Sequence, residues 1–351
     1  LHKEGLFGMW VPRSLGGAEL DPVSSLQVIE NVACGDPSTG WVLMAAALAI
    51  GTGAAYLGDD AVKELFPAPS AGKTLRMPVI AGQGTRPGNA VPHDGGFLLS
   101  GSWSFASGIK HGTHIHTLGV IEGTGEPRIF VLPVEKVKLI DNWNVMGLRA
   151  TGSIDYTIDS VYVPDTYTHF AVTDVPRRGG SLYTVGIVGF AAMCHSGWAC
   201  GIGRRLLDEL SANVRARGGR AATQSTSESF LEQYAKAEGT YRSARALVYE
   251  VWAEMSHLLE RGERPSVRLQ SLIRLAMAHV TWASHDVAMF VYAAAGTTGL
   301  RAGTIQRLFR DMHAGTQHLI ASPPVFRALG RELAGLAPKA SWRFVDLVDP
   351  A

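Results

Sequence analysis

Proline divides this chain more sharply than any other residue. Twelve of the 17 prolines precede residue 180, and between 181 and 322 there is only Pro265. A proline inside a helix removes a backbone donor and collides with the preceding turn, at a cost of ~3 kcal/mol. The second half is therefore free to form long helices, while the first half is confined to shorter helices, strands and turns. Hydrophobic spacing agrees. Phe230, Tyr234, Ala237, Tyr241, Ala244, Val248, Val251, Met255 and Leu258 step by three and four over about seven turns, as one buried helix face would. Leu269, Leu272, Leu275, Ala276 and Val280 predict a second helix, joined to the first through Arg261-Gly-Glu-Arg-Pro265. About four long helices with short connections make an antiparallel bundle over residues 178–351.

The first half reads in two parts. Residues 1–70 are predicted to be a helical domain, with Leu26, Ile29, Val32 and Ala33 on one apolar face. Asp36-Pro-Ser-Thr-Gly-Trp41 is a turn into a helix start, and the alanine-rich run Val42–Ala55 is a buried helix. Residues 71–177 carry short apolar runs bounded by turns: Gly95–Gly101, Arg128–Pro133, Val134–Ile140 and Ser153–Pro164. Ile154, Tyr156 and Ile158 in the last run alternate at period two. Runs at such spacing predict a small β-barrel or sandwich.

Charge and cysteine usage exclude several classes. With 32 basic and 31 acidic residues intermixed, no nucleic-acid surface and no polybasic membrane patch is expected. Cys34, Cys194 and Cys200 are odd in number and lack CxxC spacing, which argues against a disulfide framework or zinc site and for a reducing compartment, the cytoplasm by default. No uninterrupted apolar run reaches the ~18 residues of a membrane-spanning helix. The opening Leu-His-Lys-Glu-Gly resembles the middle of an element, as if part of the natural N-terminus preceded it.

Two stretches in the strand-rich part carry the chemistry. Trp103-Ser-Phe-Ala-Ser-Gly108 and Trp143-Asn-Val-Met-Gly-Leu-Arg-Ala-Thr-Gly-Ser153 place aromatics beside hydroxyls and glycines. Glycine lets backbone approach a flat ligand, a hydroxyl gives one directed hydrogen bond, and an aromatic covers a ring face. His111-Gly-Thr-His-Ile-His116 has a metal-like look, with His114 and His116 on one strand face, but no acidic partner stands nearby and no metal is expected. Gly82-Gln-Gly84 opens no strand–helix unit with a ribose-binding acid, so it is no dinucleotide fingerprint.

Helices, then a β-barrel, then a four-helix bundle is the order of the acyl-CoA dehydrogenase fold, and the motifs resemble that superfamily. Glu30-Asn-Val-Ala-Cys-Gly-Asp-Pro-Ser-Thr-Gly-Trp41 is similar to its N-terminal helix signature, and Gly95–Gly108 to its flavin strand. Met146-Gly-Leu-Arg-Ala-Thr-Gly-Ser153 with Val161-Tyr-Val-Pro164 is similar to the barrel exit, and Gln306-Arg-Leu-Phe-Arg-Asp311 to the last bundle helix. Trp-Ser-Phe-Ala-Ser-Gly, and Arg310-Asp311 followed by His318, further resemble the two-component flavin-dependent monooxygenases. Phenol, hydroxyphenylacetate and steroid-ring hydroxylases and dibenzothiophene monooxygenase form that branch. An absence points the same way. Dehydrogenation of a thioester needs a carboxylate to take the alpha proton, and the common dehydrogenases place it about eight residues after the Arg-Asp pair. Leu319 stands there, and no Asp or Glu occurs from Met312 to Arg331.

The resemblance implies a reduced flavin (FMN or FAD) delivered by a separate NAD(P)H:flavin reductase. Dioxygen would form a C4a-hydroperoxyflavin that oxygenates a small organic, aromatic substrate. It implies a homotetramer, with the flavin between barrel and bundle. Ser107 would hydrogen-bond flavin N5, Phe105 pack on the ring, Gly108 line it, and Trp103 either line it or pack in the core. Thr151 and Ser153 would touch the flavin edge or phosphate. Arg217, aligned by spacing, would reach the flavin phosphate of a neighbouring subunit, as an arginine fork suits a phosphate. His318 would manage a proton near neutral pH. Trp41 and His111 would line the substrate pocket. The hydroxylases also carry a substrate-facing histidine where this chain has Ile50-Gly51. Arg149 and Asp311 read as structural. The alternatives are an acyl-CoA dehydrogenase with a displaced base, an amine-oxidising relative similar to the nitrososynthases, and a non-catalytic protein on a flavin fold.

Overall fold

A computed structural model describes residues 1–67, 77–218 and 226–349. Packing divides them into two units that do not follow chain order. The first comprises Leu1–Asp21, Trp41–Asn144 and Ala150–Ala191; the second Pro22–Gly40, Val145–Arg149 and the chain from Ala192 onward.

The first unit is built on seven strands: β1 (Ile80–His93), β2 (Gly96–Ala106), β3 (His114–Ile121), β4 (Pro127–Pro133), β5 (Lys138–Ile140), β6 (Ile154–Pro164) and β7 (Thr168–Phe170). They form one sheet in the order β5-β6-β2-β1-β3-β4-β7, antiparallel except for β1 beside β3. The sheet wraps round one core of Phe97, Trp103, Phe130, Tyr156 and their aliphatic neighbours. Trp103 stacks on Tyr156 at 5.3 Å, and its Nε1 donates to the Leu118 carbonyl at 3.1 Å. The Tyr156 hydroxyl in turn donates to Thr117 Oγ1 at 2.8 Å.

This core corrects the reading of Trp103 as a cofactor contact. Simple alternation puts Trp103 and Phe105 on one face of β2. The β2–β6 register slips between Trp103 and Ala106, and Phe105 takes a left-handed φ of 70°. That bulge leaves Trp103 at 1% exposure and turns Phe105 out to 64%. Trp103→Ala is expected to cost ~3–5 kcal/mol through the cavity it opens, and the Leu118 carbonyl also loses its donor. Urea unfolding measures this; a loss under ~1 kcal/mol would show that the indole does not hold the core.

The helices α2 (Pro37–Tyr56) and α3 (Asp59–Leu65) precede the sheet, and α4 (Gly186–Arg215) follows it. Asp36 caps α2, its Oδ1 accepting from the Thr39 N–H at 2.8 Å and from the Thr39 hydroxyl at 2.9 Å. Two helical stretches, Pro37–Tyr56 and Ser181–Arg215, are on average long and apolar enough to cross a membrane, although no run in them is uninterrupted. In this protein 72% and 78% of their apolar windows are buried inside the fold, as in core helices.

In the second unit α1 (Pro22–Gly35) buries Leu26, Ile29 and Ala33 and joins the helices α5 (Glu228–Glu260) and α6 (Val267–Ala295). From Ala237 on, the α5 face is as spaced in sequence, with Trp252 added and Leu259 in place of Leu258 at its end, while Phe230 and Tyr234 are half-buried. On α6 the buried positions are Leu269, Ile273, Ala276, Met277 and Val280, whereas Leu272 and Leu275 are half-buried. The stripe is rotated because α8 (Thr304–Gly315) and α9 (Pro323–Leu333) pack on α6 too. Glu30 on α1 is 8% exposed. Its carboxylate accepts from Arg245 at 2.7 and 3.0 Å and from the Tyr241 and Tyr249 hydroxyls at 3.3 and 2.5 Å, so the buried charge is fully partnered.

Candidate active site

The end of β2 builds a small polar ledge in the first unit. Phe105 faces outward, its ring meeting Trp143 edge-on at 6.2 Å. Ser107 N donates to the Phe105 carbonyl at 2.9 Å, closing a tight turn, and Gly108 follows in the left-handed region at φ 79°. A Cβ on Gly108 would also lie 2.9 Å from Val42 on α2, so this position needs glycine twice over. The Gly108 N–H donates to the Thr151 carbonyl at 2.8 Å, which joins the two glycine- and hydroxyl-bearing stretches through backbone.

Four side chains predicted for the site meet here. Trp41 Nε1 donates to Ser107 Oγ at 3.1 Å, Ser107 Oγ lies 2.8 Å from Ser153 Oγ, and Ser153 Oγ lies 2.6 Å from Thr151 Oγ1. Ser107 is 6% exposed, and Ser153 and Thr151 are each 2% exposed. Thr151 and Ser153 therefore stand behind Ser107 and present almost no surface of their own. His111 is exposed on the 3-10 turn that follows, its N–H donating to the Gly108 carbonyl at 3.0 Å. On β3 itself, His114 is half-buried and His116 buried, and burial lowers both pKa values, that of His116 to about 3. Among the described residues no three His, Cys, Asp or Glu side chains come together as a metal site.

The position that carries a histidine in the hydroxylases is closed by packing. Ile50 is fully buried, and a Cβ on Gly51 would lie 2.7 Å from the Trp10 Cβ. Ile50 and Gly51 therefore place no polar side chain where that histidine was expected.

The second unit holds the other predicted groups. Asp311, 3% exposed, does not pair with Arg310. Its Oδ1 accepts from the Leu148 N–H at 2.6 Å, while Arg310 Nη1 donates to the Met146 carbonyl at 2.5 Å. Both side chains thus clamp the strip Val145–Arg149 onto α8, and burial raises the Asp311 pKa. Gly147 makes the clamp possible, since a Cβ there would fall 2.0 Å from the Arg310 carbonyl oxygen. Arg149 is exposed.

His318 lies beyond α8 and caps a short 3-10 turn, its Nδ1 accepting from the Ile320 N–H at 3.4 Å. Its ring packs against that of His195 at 4.0 Å. The enclosure lowers the His318 pKa to about 4 and that of His195, at 6% exposure, well below the ordinary value. Burial thus favours the neutral form of both rings. In that form His318 can accept a hydrogen bond, whereas burial opposes its taking up a proton. His195 sits in an apolar stretch of α4, and no spacing in the sequence links it to His318 120-odd positions away.

Arg217 is tied to its own unit. Its Nε and Nη2 donate to Asn213 Oδ1 at 3.1 and 2.8 Å, and Nη2 donates to the Ala294 carbonyl at 2.7 Å. The carbonyls at the end of α6 are a natural cation partner. Asn213, held in this way, lines a cavity of about 540 Å³ with Glu209, Thr297, Thr298, Arg301 and Gly303–Ile305. The cavity receives the uncapped N-terminus of α8, where Gly303 offers no side-chain cap. Backbone N–H groups at that helix start, three threonine hydroxyls (Thr297, Thr298 and Thr304) and the Arg301 guanidinium suit an anion such as a phosphate, while the Glu209 carboxylate in the same lining is paired with Arg205 at 2.7 Å. Arg301, Thr297 and Thr298 had no motif to single them out.

Comparison with known proteins gives this geometry a family. Residues 1–72 match the acyl-CoA dehydrogenase N-terminal domain family, and residues 193–323 match the acyl-CoA dehydrogenase C-terminal domain family, together more than half the chain. The chain belongs to the acyl-CoA dehydrogenase superfamily. It is 28% identical over 345 residues to indole-3-acetate monooxygenase of Pseudomonas putida, covering 95% of this chain and 85% of the relative. It is 25% identical to the flavin-dependent monooxygenase oxygenase subunit HsaA of Rhodococcus jostii, covering 92% and 86%. The fold matches that of XiaF from Streptomyces sp., solved in complex with FADH2 and glycerol, with a TM-score of 0.82, 20% identity and coverage of 96% and 87%. Within the superfamily its place is with the flavin-dependent monooxygenases.

Proposed function

We propose that this chain is the oxygenase component of a two-component flavin-dependent monooxygenase, which takes reduced flavin from a separate NAD(P)H:flavin reductase and inserts one atom of dioxygen into a small aromatic substrate. The ledge at Phe105–Gly108 is the observation that carries this reading: an outward aromatic, one oriented hydroxyl and a backbone that only glycine permits. When bound, reduced flavin supplies the two electrons that reduce the second oxygen atom to water. Phe105 would cover one face of the ring, and the Ser107 hydroxyl would meet N5. His318, held neutral, would accept a hydrogen bond from a phenolic or indolic substrate. The buried surroundings of Ser107 would keep water from the reacting atoms.

The cavity beside Asn213 supports a phosphate-binding role there, through Arg301 and the start of α8, with Arg217 bracing Asn213. The family's shared phosphate site would place that phosphate on a flavin held by a neighbouring copy, in a homotetramer. Few cysteines and no disulfide among the described residues favour the cytoplasm.

Turnover with a reductase held behind a dialysis membrane tests the assignment. With labelled dioxygen and a panel of phenols and indoles, one product is expected to gain a single labelled oxygen atom. Formation of hydrogen peroxide alone with every aromatic, or anaerobic bleaching of bound oxidised flavin by an acyl-CoA, would contradict it.

A further inference from the structure

The hydroxyls behind Ser107 form a connected chain with the Trp41 indole at its front. A serine hydroxyl has one hydrogen to donate and two lone pairs to accept with, whereas an indole N–H can only donate. Trp41 Nε1, 3.1 Å from Ser107 Oγ, therefore always occupies one Ser107 lone pair. The remaining capacity is shared with Ser153 at 2.8 Å, which is shared in turn with Thr151 at 2.6 Å.

At both contacts either hydroxyl can be the donor, so the chain can run in two directions. If Ser107 donates to Ser153 and Ser153 to Thr151, one Ser107 lone pair is left facing the ligand, and Thr151 must direct its own hydrogen outside the chain. If the chain runs the other way, both Ser107 lone pairs are filled and its hydrogen faces the ligand. Rotation of three hydroxyls exchanges the two. Reduced flavin carries a hydrogen on N5 and needs an acceptor there; oxidised flavin carries a lone pair and needs a donor.

We propose that Trp41, Ser153 and Thr151 are positioning residues that act through Ser107, reversing the direction of its hydroxyl so that it matches N5 in both the reduced and the oxidised flavin. This rests on the assignment of Ser107 to N5. Trp41 gives the chain its fixed end. The Gly108 N–H to Thr151 carbonyl bond at 2.8 Å holds the two strands at the spacing the hydroxyls need.

Two measurements on the folded protein test it. In flavin-free protein with nitrogen-labelled tryptophan, Ser153→Ala is expected to shift the Trp41 indole resonance through Ser107, which contacts both. Binding of reduced and oxidised FMN and FAD is then measured anaerobically for wild type, Ser153→Ala, Thr151→Val and Thr151→Ser. Loss of one oriented hydrogen bond is worth about three- to tenfold in an equilibrium. Ser153→Ala and Thr151→Val should change the ratio of reduced to oxidised affinity by that factor, and Thr151→Ser should restore it. Normal binding with an unchanged ratio, or a Trp41 resonance indifferent to Ser153→Ala, would overturn the relay while leaving the flavin assignment intact. No binding of either flavin form would overturn both.

Discussion

Ser107→Ala is expected to lower substrate oxygenation about ten- to a hundredfold while oxygen consumption continues as hydrogen peroxide release. The serine gives the site its one oriented hydroxyl beside the outward ring of Phe105, and it is buried to 6% exposure, so no solvent molecule takes its place freely. A hydrogen bond to a charged or polarised partner in such a setting is worth ~1.5–3 kcal/mol, which sets the range. The substitution also leaves the Trp41 N–H and the Ser153 hydroxyl without their partner. Flavin binding should weaken less than oxygenation does, because the ring face and backbone contacts remain. Product and peroxide, measured together, distinguish this from simple loss of binding; an unchanged ratio of the two would remove Ser107 from the chemistry.

The second large effect is on stability in acid. His116 and His169 in the first unit have pKa values lowered to about 3 and about 4, and His318 in the second to about 4, all chiefly by burial; His195 is lowered as well. The His116 Nδ1 and His169 Nε2 atoms have no hydrogen-bond partner among the described residues, so protonated rings would be buried without compensation. An unfolded histidine titrates near ~6.5. Below that pH the unfolded chain takes up protons that the native protein refuses, so stability is full above ~6.5 and falls as pH drops towards 4. Each buried histidine would forfeit ~2 kcal/mol by about pH 5, several kcal/mol together, enough to unfold a protein of ordinary stability. Urea unfolding from pH 8 to 5 should show this slope, and His116→Leu should flatten it. A midpoint independent of pH over that range would contradict the burial of these rings.

Much of the fold was legible because prolines and apolar spacing act locally. The α5 stripe needed only the positions of Tyr241, Val248 and Met255. The strand β1 was hidden, because Gly82, Gly84, Pro87, Gly88 and Pro92 are residues that strands usually avoid. Their reasons are tertiary. A Cβ on Gly88 would lie 2.3 Å from the Trp103 ring, one on Gly82 would lie 1.9 Å from the His116 carbonyl oxygen, and Pro87 falls in a register break. In the site, Ser107 and Phe105 were readable from a short motif. That Trp103 turns inward depended on a bulge which alternation cannot foresee. The joining of Trp41 to Ser107 across 66 positions, and of His195 to His318, depends on packing that no local pattern encodes.

The most direct test of the flavin-monooxygenase assignment is rapid mixing of the protein and reduced flavin with oxygen, following the flavin absorbance without substrate. The bound flavin is expected to return to its oxidised spectrum far more slowly than free reduced flavin, through at least two phases, with Ser107→Ala hastening the last. Reoxidation in a single phase at the rate of free flavin would contradict the assignment.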